Sequence, residues 1–304
     1  MDPLRGTLLW ASGNATLRRH LPRFRAVRKT VERFMPGETA DDGLAAAERL
    51  AIDGLPATFT LLGENVDDLS QATTAAGEYL KLLDRIDALG MDAEVSVKLT
   101  QLGFDLEPDA TMVHMERLAD RSAEMGRTVW IDMESSTYVE GTIELYATLL
   151  KRSPNAGLCM QAYLHRTWDD VQKLAPLDPT IRLVKGAYRE PKDVAFQDKR
   201  VIDESYFRLA THLATSARRL TLGTHDTDLV ARIEAAVPGG RDAFEVAMLY
   251  GIRSDEQRRM ARDGYAVRTL IAYGPYWYPW FMRRIAEKPV ENTMLALRNL
   301  VARG

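Results

Sequence analysis

Residues 67–99, "DDLSQATTAAGEYLKLLDRIDALGMDAEVSVKL", decide how the chain is to be read. The first 24 residues carry apolar side chains at helical spacing and end on Gly90, a natural helix stop. The short run "AEVSVKL" (93–99) then has the β-branched character of a strand. The same unit recurs in both directions. Apolar or β-branched runs lie at "ATFTLLG" (57–63), "TVWIDM" (128–133), "GLCMQAY" (157–163) and "IRLVKG" (181–186). Further runs lie at "LTLGTHD" (220–226), "AFEVAML" (243–249) and "YAVRTLIAYG" (265–274). Helix-period segments such as "ATMVHMERLADRSAEMG" (110–126) separate them. Strand alternating with helix predicts parallel strands joined by crossovers. From residue 57 to 265 is 208 residues in seven steps, about 30 per step, the size of one βα unit. Eight such units predict an α/β fold, a (β/α)8 barrel. An open doubly wound sheet is the alternative, but GxGxxG after a strand is absent. No Gly/Ser/Pro-rich linker divides the chain, so one domain is expected over 1–304. N-terminal helices occupy 1–55 and the barrel 56–304. In "TADDGLAAAERLAIDG", Thr39 is placed to cap a helix with Asp42 three residues on, and Gly54 to stop it.

Composition narrows the function. A formal charge of −3 gives no electrostatic case for nucleic acid. The single cysteine, Cys159, excludes an internal disulfide and suits a reducing cytoplasm. Its apolar setting in "GLCMQAYL" predicts a buried, inert thiol. No run of about 18 or more apolar residues is present to span a bilayer, and the first residues lack a signal-peptide pattern. A soluble cytoplasmic protein is expected. The basic stretch Thr16–Phe34 reads as a helix packed on the domain, with an anionic membrane surface as the alternative.

In a barrel the chemistry gathers at the C-terminal ends of the strands. Those ends carry Glu64, Lys98, Asp132, Gln161, Lys185, His225 with Asp226, and Tyr273, while Arg182 lies just inside the fifth strand. Asp226, followed by Thr227, is equally placed to cap the next helix. Lys98 or Lys185 could support a Schiff-base aldolase. Asp132, Glu134, His225 and Asp226 lack the clear ligand spacing of a metal site. A non-catalytic scaffold that binds a partner or membrane through its aromatic segment is a third reading. Neither the aldolase nor the metal site accounts for Arg283 and Arg284, which follow the aromatics of "YGPYWYPWFMRRIAEKP" (273–289). On a helical wheel Glu287 falls about 40° from Arg283 and lies between the two arginines. An apolar face formed by Phe281, Met282, Ile285 and Ala286 stands opposite. A cationic and apolar mouth suits a planar redox cofactor and a small carboxylate, which paired guanidiniums recognise well.

The motifs "VSVKLTQLG" (95–103), "IDMESS" (131–136), "RLVKGAYRE" (182–190), "GTHD" (223–226) and "YWYPWFMRRIAEKP" (276–289) resemble the FAD-dependent proline dehydrogenases, in that family's order. The resemblance covers nearly the whole chain, from Met35 to the end. It implies a distorted (β/α)8 barrel that holds FAD non-covalently. The implied activity is oxidation of L-proline to Δ1-pyrroline-5-carboxylate, the first step of proline catabolism to glutamate. Electrons pass to a membrane quinone, so the resemblance also implies peripheral contact with the membrane's inner face. The chain is too short for the fused second enzyme of bifunctional members. A separate pyrroline-5-carboxylate dehydrogenase is a partner the family suggests.

The resemblance assigns Arg182, Val184, Lys185, Gly186, Ala187 and Tyr188 to the cofactor, with Arg182 near the flavin N5. Met133, Gln161, Thr224 and His225 are further flavin contacts. Lys98, Asp132, Tyr273, Arg283, Arg284 and Glu287 match the substrate pocket, Leu249 its apolar wall, and Glu64 the acidic residue that closes it. Asp132, Arg182 and Lys98 are the expected catalytic group, and no metal is expected. Cations beside a reduced flavin lower the cost of accepting hydride.

Overall fold

The structure is a computed structural model and describes residues 31, 33–278 and 281. The clamp candidates Arg283, Arg284 and Glu287 lie outside the described residues, as does most of the basic N-terminal stretch. Within the expected N-terminal helices, helix α1 (Ala40–Ile52) is described. It begins as its sequence predicts. Thr39 Oγ1 accepts from Asp42 N at 3.2 Å, and Asp42 Oδ2 accepts from Thr39 N at 3.0 Å, which satisfies two otherwise orphaned amides.

Eight parallel strands follow and close on themselves in chain order. They are β1 (Ala57–Leu61), β2 (Ala93–Val97), β3 (Val129–Ile131) and β4 (Ala156–Gln161). The circuit continues with β5 (Thr180–Val184), β6 (Arg219–Gly223), β7 (Glu245–Leu249) and β8 (Val267–Tyr273). Closure is the β1–β8 pairing, in register from Ala57 with Thr269 to Leu61 with Tyr273. The crossover helices are α2 (Leu69–Ala88), α3 (Pro108–Glu124), α4 (Val139–Leu150) and α5 (Thr167–Leu174). After them come α6 (Lys199–Ser216), α7 (Thr227–Ala236) and α8 (Ser254–Arg262). Seven of the eight predicted strand runs extend one to three residues past the ladders at their C-terminal ends, and the run at 243–249 ends with its strand at Leu249. Those extra residues are the ones that turn out of the sheet to form the mouth.

Each strand has two faces. Val95, Val97, Val129, Ile131, Leu158, Met160, Ile181 and Leu183 face the helices and are fully or almost fully buried. Each such side chain contributes roughly 1.5–3 kcal/mol through burial. The alternate residues face the barrel interior. There Glu94, Ser96, Trp130, Arg182, Thr221 and Arg268 are all buried. A lumen of this fold is usually filled by branched aliphatic layers; this one is largely polar, and that polarity positions the site.

Candidate active site at the barrel mouth

Alternation along β2 puts Glu94, Ser96 and then Lys98 on the inner face, and alternation along β3 puts Trp130 and then Asp132 there. Arg182 enters from β5. The three strand ends meet around one carboxylate. Asp132 Oδ1 accepts from Ser96 Oγ at 2.8 Å and from Arg182 Nη2. Arg182 Nη2 also donates to Ser96 Oγ at 2.7 Å. The other oxygen, Oδ2, faces Lys98 Nζ at 3.8 Å. Burial works against the Arg182 charge, but the adjacent Asp132 carboxylate outweighs it and holds the guanidinium firmly protonated. Lys98 and Arg182, two cations singled out in the sequence, thus both meet the carboxylate of Asp132.

Gln161, at the end of β4, is 2% exposed. Its Nε2 donates to the carbonyls of Met133 and Glu134 at 3.2 Å. Its Oε1 is buried with no hydrogen-bond partner in the structure. Two residues on, the Tyr163 hydroxyl is also buried and unpartnered. A buried orphan acceptor is costly unless a ligand satisfies it. Beside them Gly186 has φ +119°, and a Cβ there would lie 2.3 Å from the Tyr163 ring, so only glycine fits. This rim, with a buried guanidinium on one side and unused polar atoms on the other, fits a planar heteroaromatic group with a hydrogen-bonding edge. Val184 is half-buried, with its Cγ1 2.7 Å from where a Cβ on Gly223 would sit. Ala187 and Tyr188 follow Gly186 at the rim. Met133 packs in the core and contributes its carbonyl.

Lys185 turns away from the lumen. Its ammonium pairs with Asp203 of α6 and, at 3.0 Å, with Asp226 at the start of α7. Asp226 also caps α7, accepting from Leu229 N at 3.2 Å, the capping role that its place before Thr227 suggested. Burial opposes the Asp226 charge, but the bond from Lys185 keeps its carboxyl below the usual range. Lys185 reads as a strut between β5, α6 and α7 rather than a free amine. His225 Nε2 accepts from Leu249 N at 3.0 Å, which joins the ends of β6 and β7 and holds the half-buried Leu249 on the inner side. Thr224 is buried beside it, its hydroxyl accepting from Asp226 N at 3.2 Å. Glu64 lies in the β1–α2 loop. Burial, with the Glu64 charge acting in the same direction, raises the carboxyl pKa of buried Glu134, which Thr100 bonds through its amide and hydroxyl. Cys159 is buried in the barrel wall, and burial pushes its thiol up, as expected for an inert residue.

One expectation is corrected by the geometry. Tyr273 does not face the pocket. It shares the outer face of β8 with Thr269, which bonds Gln257 of α8, and with Ile271, which packs near Gly43 of α1. Its ring meets Phe59 edge-on, with centroids 6.4 Å apart, and burial pushes its phenol above the ordinary value. A period-two strand puts residues 269, 271 and 273 on one side, and that side is the helix layer.

A second cluster was not anticipated from sequence. At the opposite end of the lumen, Glu94 accepts from Arg219 at 2.6 Å, and Glu245 accepts from Arg219 at 2.7 Å and from Arg268 at 2.9 Å. Burial alone would raise the Glu94 carboxyl, but Arg268 and Arg219 hold it below the usual range. The alternation of "AEVSVKL" was the available signal, since it places Glu94, Ser96 and Lys98 on one face.

A closed parallel barrel with a carboxylate–guanidinium–ammonium mouth defines a (β/α)8 enzyme class suited to small charged substrates. Residues 44–294 match the sequence profile of the proline dehydrogenase family. The chain is 34% identical over 303 residues to proline dehydrogenase 1 of Bacillus subtilis, covering 98% of this chain and 99% of that one. It is 38% identical over 266 residues to the proline dehydrogenase of Deinococcus radiodurans, covering 85% and 86%. The protein therefore belongs to the proline dehydrogenase family, oxidoreductases of proline catabolism. Among solved structures, proline utilization A of Bdellovibrio bacteriovorus inactivated by N-propargylglycine superposes with a TM-score of 0.79 at 22% identity. That match covers 98% of this chain but only 37% of the other, and it attests the barrel fold. Among the described residues no helix is long and apolar enough to cross a membrane, and no three metal-ligating side chains converge.

Proposed function

We propose that this chain oxidises L-proline to Δ1-pyrroline-5-carboxylate using non-covalent FAD, with a membrane quinone as the onward acceptor. The observation that supports this most is the Lys98–Asp132–Arg182 cluster beside the unpartnered Oε1 of Gln161. Gln161, Arg182 and the Val184–Tyr188 segment would hold the isoalloxazine, with Met133 beside them and Thr224 and His225 farther along the cofactor. When bound, FAD supplies a two-electron hydride acceptor. The chain's own residues do the rest. Arg182, kept charged by Asp132, favours negative charge developing beside it. Lys98 and Asp132, opposite charges facing each other, hold the amine end of the substrate. Leu249 offers its ring an apolar wall. Arg283 and Arg284, braced by Glu287 on their helical spacing, grip the carboxylate, and Glu64 closes the site. The quinone, the membrane contact and a pyrroline-5-carboxylate dehydrogenase as consumer of the product rest on the family relation. Denaturing the purified protein should release intact FAD. A colourless preparation that takes up no FAD would overturn the reading.

A further inference from the structure

Between the two charged clusters of the lumen lies the ring of Trp130, 1% exposed. Its Nε1 donates to Glu94 Oε2 at 2.7 Å, which fixes it to the lower cluster. Its ring has Arg182 stacked at 5.0 Å from the centroid and Arg219 at 5.4 Å. Gly157 on β4 makes the space: a Cβ there would stand 2.6 Å from the indole. Asp132 and Ser96 engage the Arg182 guanidinium through Nη2, and the indole supports it from the ring face.

We infer that Trp130 is a positioning residue for the redox site, a floor that holds Arg182 at the height of the mouth. Without the ring, the guanidinium has space below it and two carboxylates, Glu94 and Glu245, to attract it. It would sink toward them and away from a ligand at the mouth. A desolvated aromatic face stabilises a cation directly, indole more strongly than phenyl, so the ring both supports Arg182 and separates it from the lower anions. The inference rests on the proposed role of Arg182 beside the flavin.

The test is the two-electron midpoint potential of bound flavin in wild type, Trp130→Phe, Trp130→Leu, Arg182→Met and the double variant Trp130→Leu/Arg182→Met. Trp130→Leu should lower the potential by about 30 mV, equivalent to a tenfold loss in stabilisation of the reduced state. Trp130→Phe, which keeps a ring but loses the bond to Glu94, should lower it less. In the Arg182→Met background, Trp130→Leu should have no further effect, because it acts through that arginine. If Arg182→Met lowers the potential and neither Trp130 variant does, the floor is wrong and the function stands. A Trp130→Leu shift that persists without Arg182 also overturns it. If Arg182→Met itself leaves the potential unmoved, the proposed role of Arg182 fails instead. Should the leucine variant not fold, Trp130→Phe with and without Arg182 separates the same outcomes.

Discussion

Lys98 Nζ and Arg182 Nη2 approach the Asp132 carboxylate through different oxygens, Lys98 at Oδ2 and Arg182 at Oδ1. One carboxylate therefore has two duties. Through Oδ1 it neutralises a buried guanidinium, and through Oδ2 it faces the only one of these cations with freedom to meet a substrate. Asp132→Asn should lower kcat/KM for proline by about a hundredfold or more. It should also lower stability by roughly 3–5 kcal/mol, because Arg182 is left buried without its partner. Lys98→Met should cost activity with a much smaller change in unfolding. Equal loss of stability in both variants would contradict this division of roles.

Gly186 should tolerate no side chain. Gly186→Ala places a Cβ at φ +119° and against the Tyr163 ring, costing at least about 1–3 kcal/mol in backbone strain alone. Because strand β5 itself ends at Val184, the barrel should still fold, with reduced thermal stability and reduced flavin content. Unchanged flavin occupancy would show that this turn does not shape the cofactor rim.

Tyr273 should behave as a packing residue. Tyr273→Phe should leave the kcat/KM ratio of proline to 4-hydroxyproline unchanged. Tyr273→Ala should cost roughly 3–5 kcal/mol through the cavity it leaves beside Phe59. A changed ratio in the phenylalanine variant would place the phenol back in the pocket.

The lower charge cluster should set part of the acid stability. Arg268 and Arg219 outweigh burial and keep Glu94 below its ordinary carboxyl range. Its contribution is therefore complete above the unfolded value near about 4.3. It is lost as pH falls through the lower folded value. Denaturant unfolding followed from neutral pH downward should show this loss in wild type, and Glu94→Gln should have a flatter acid limb. Parallel limbs in the two proteins would contradict it.

The eight βα units are readable in the sequence because strand and helix periods differ and repeat about every 30 residues. The convergence of Lys98, Asp132 and Arg182 is readable too, since three strand ends of a barrel must meet. The facing of Tyr273 is not, because one residue of register decides which side of a strand faces the lumen, and "LIAYG" is apolar on both sides. Trp130 and Glu94 look like ordinary strand residues until β2, β3 and β6 are brought together. Their partners Arg219, Glu245 and Arg268 lie more than 80 residues away, beyond any local pattern.

The most direct measurement is anaerobic addition of L-proline to the purified, flavin-loaded protein, with pyrrolidine added in parallel to wild type and to Arg283→Met. In wild type, proline should bleach the flavin band and yield one equivalent of Δ1-pyrroline-5-carboxylate, while pyrrolidine, lacking the carboxylate, should react far more slowly. Arg283→Met should lose most of its proline reactivity and little of its weak reaction with pyrrolidine, a difference of roughly 2–5 kcal/mol. A flavin band that proline leaves intact in wild type would contradict the proposed oxidation.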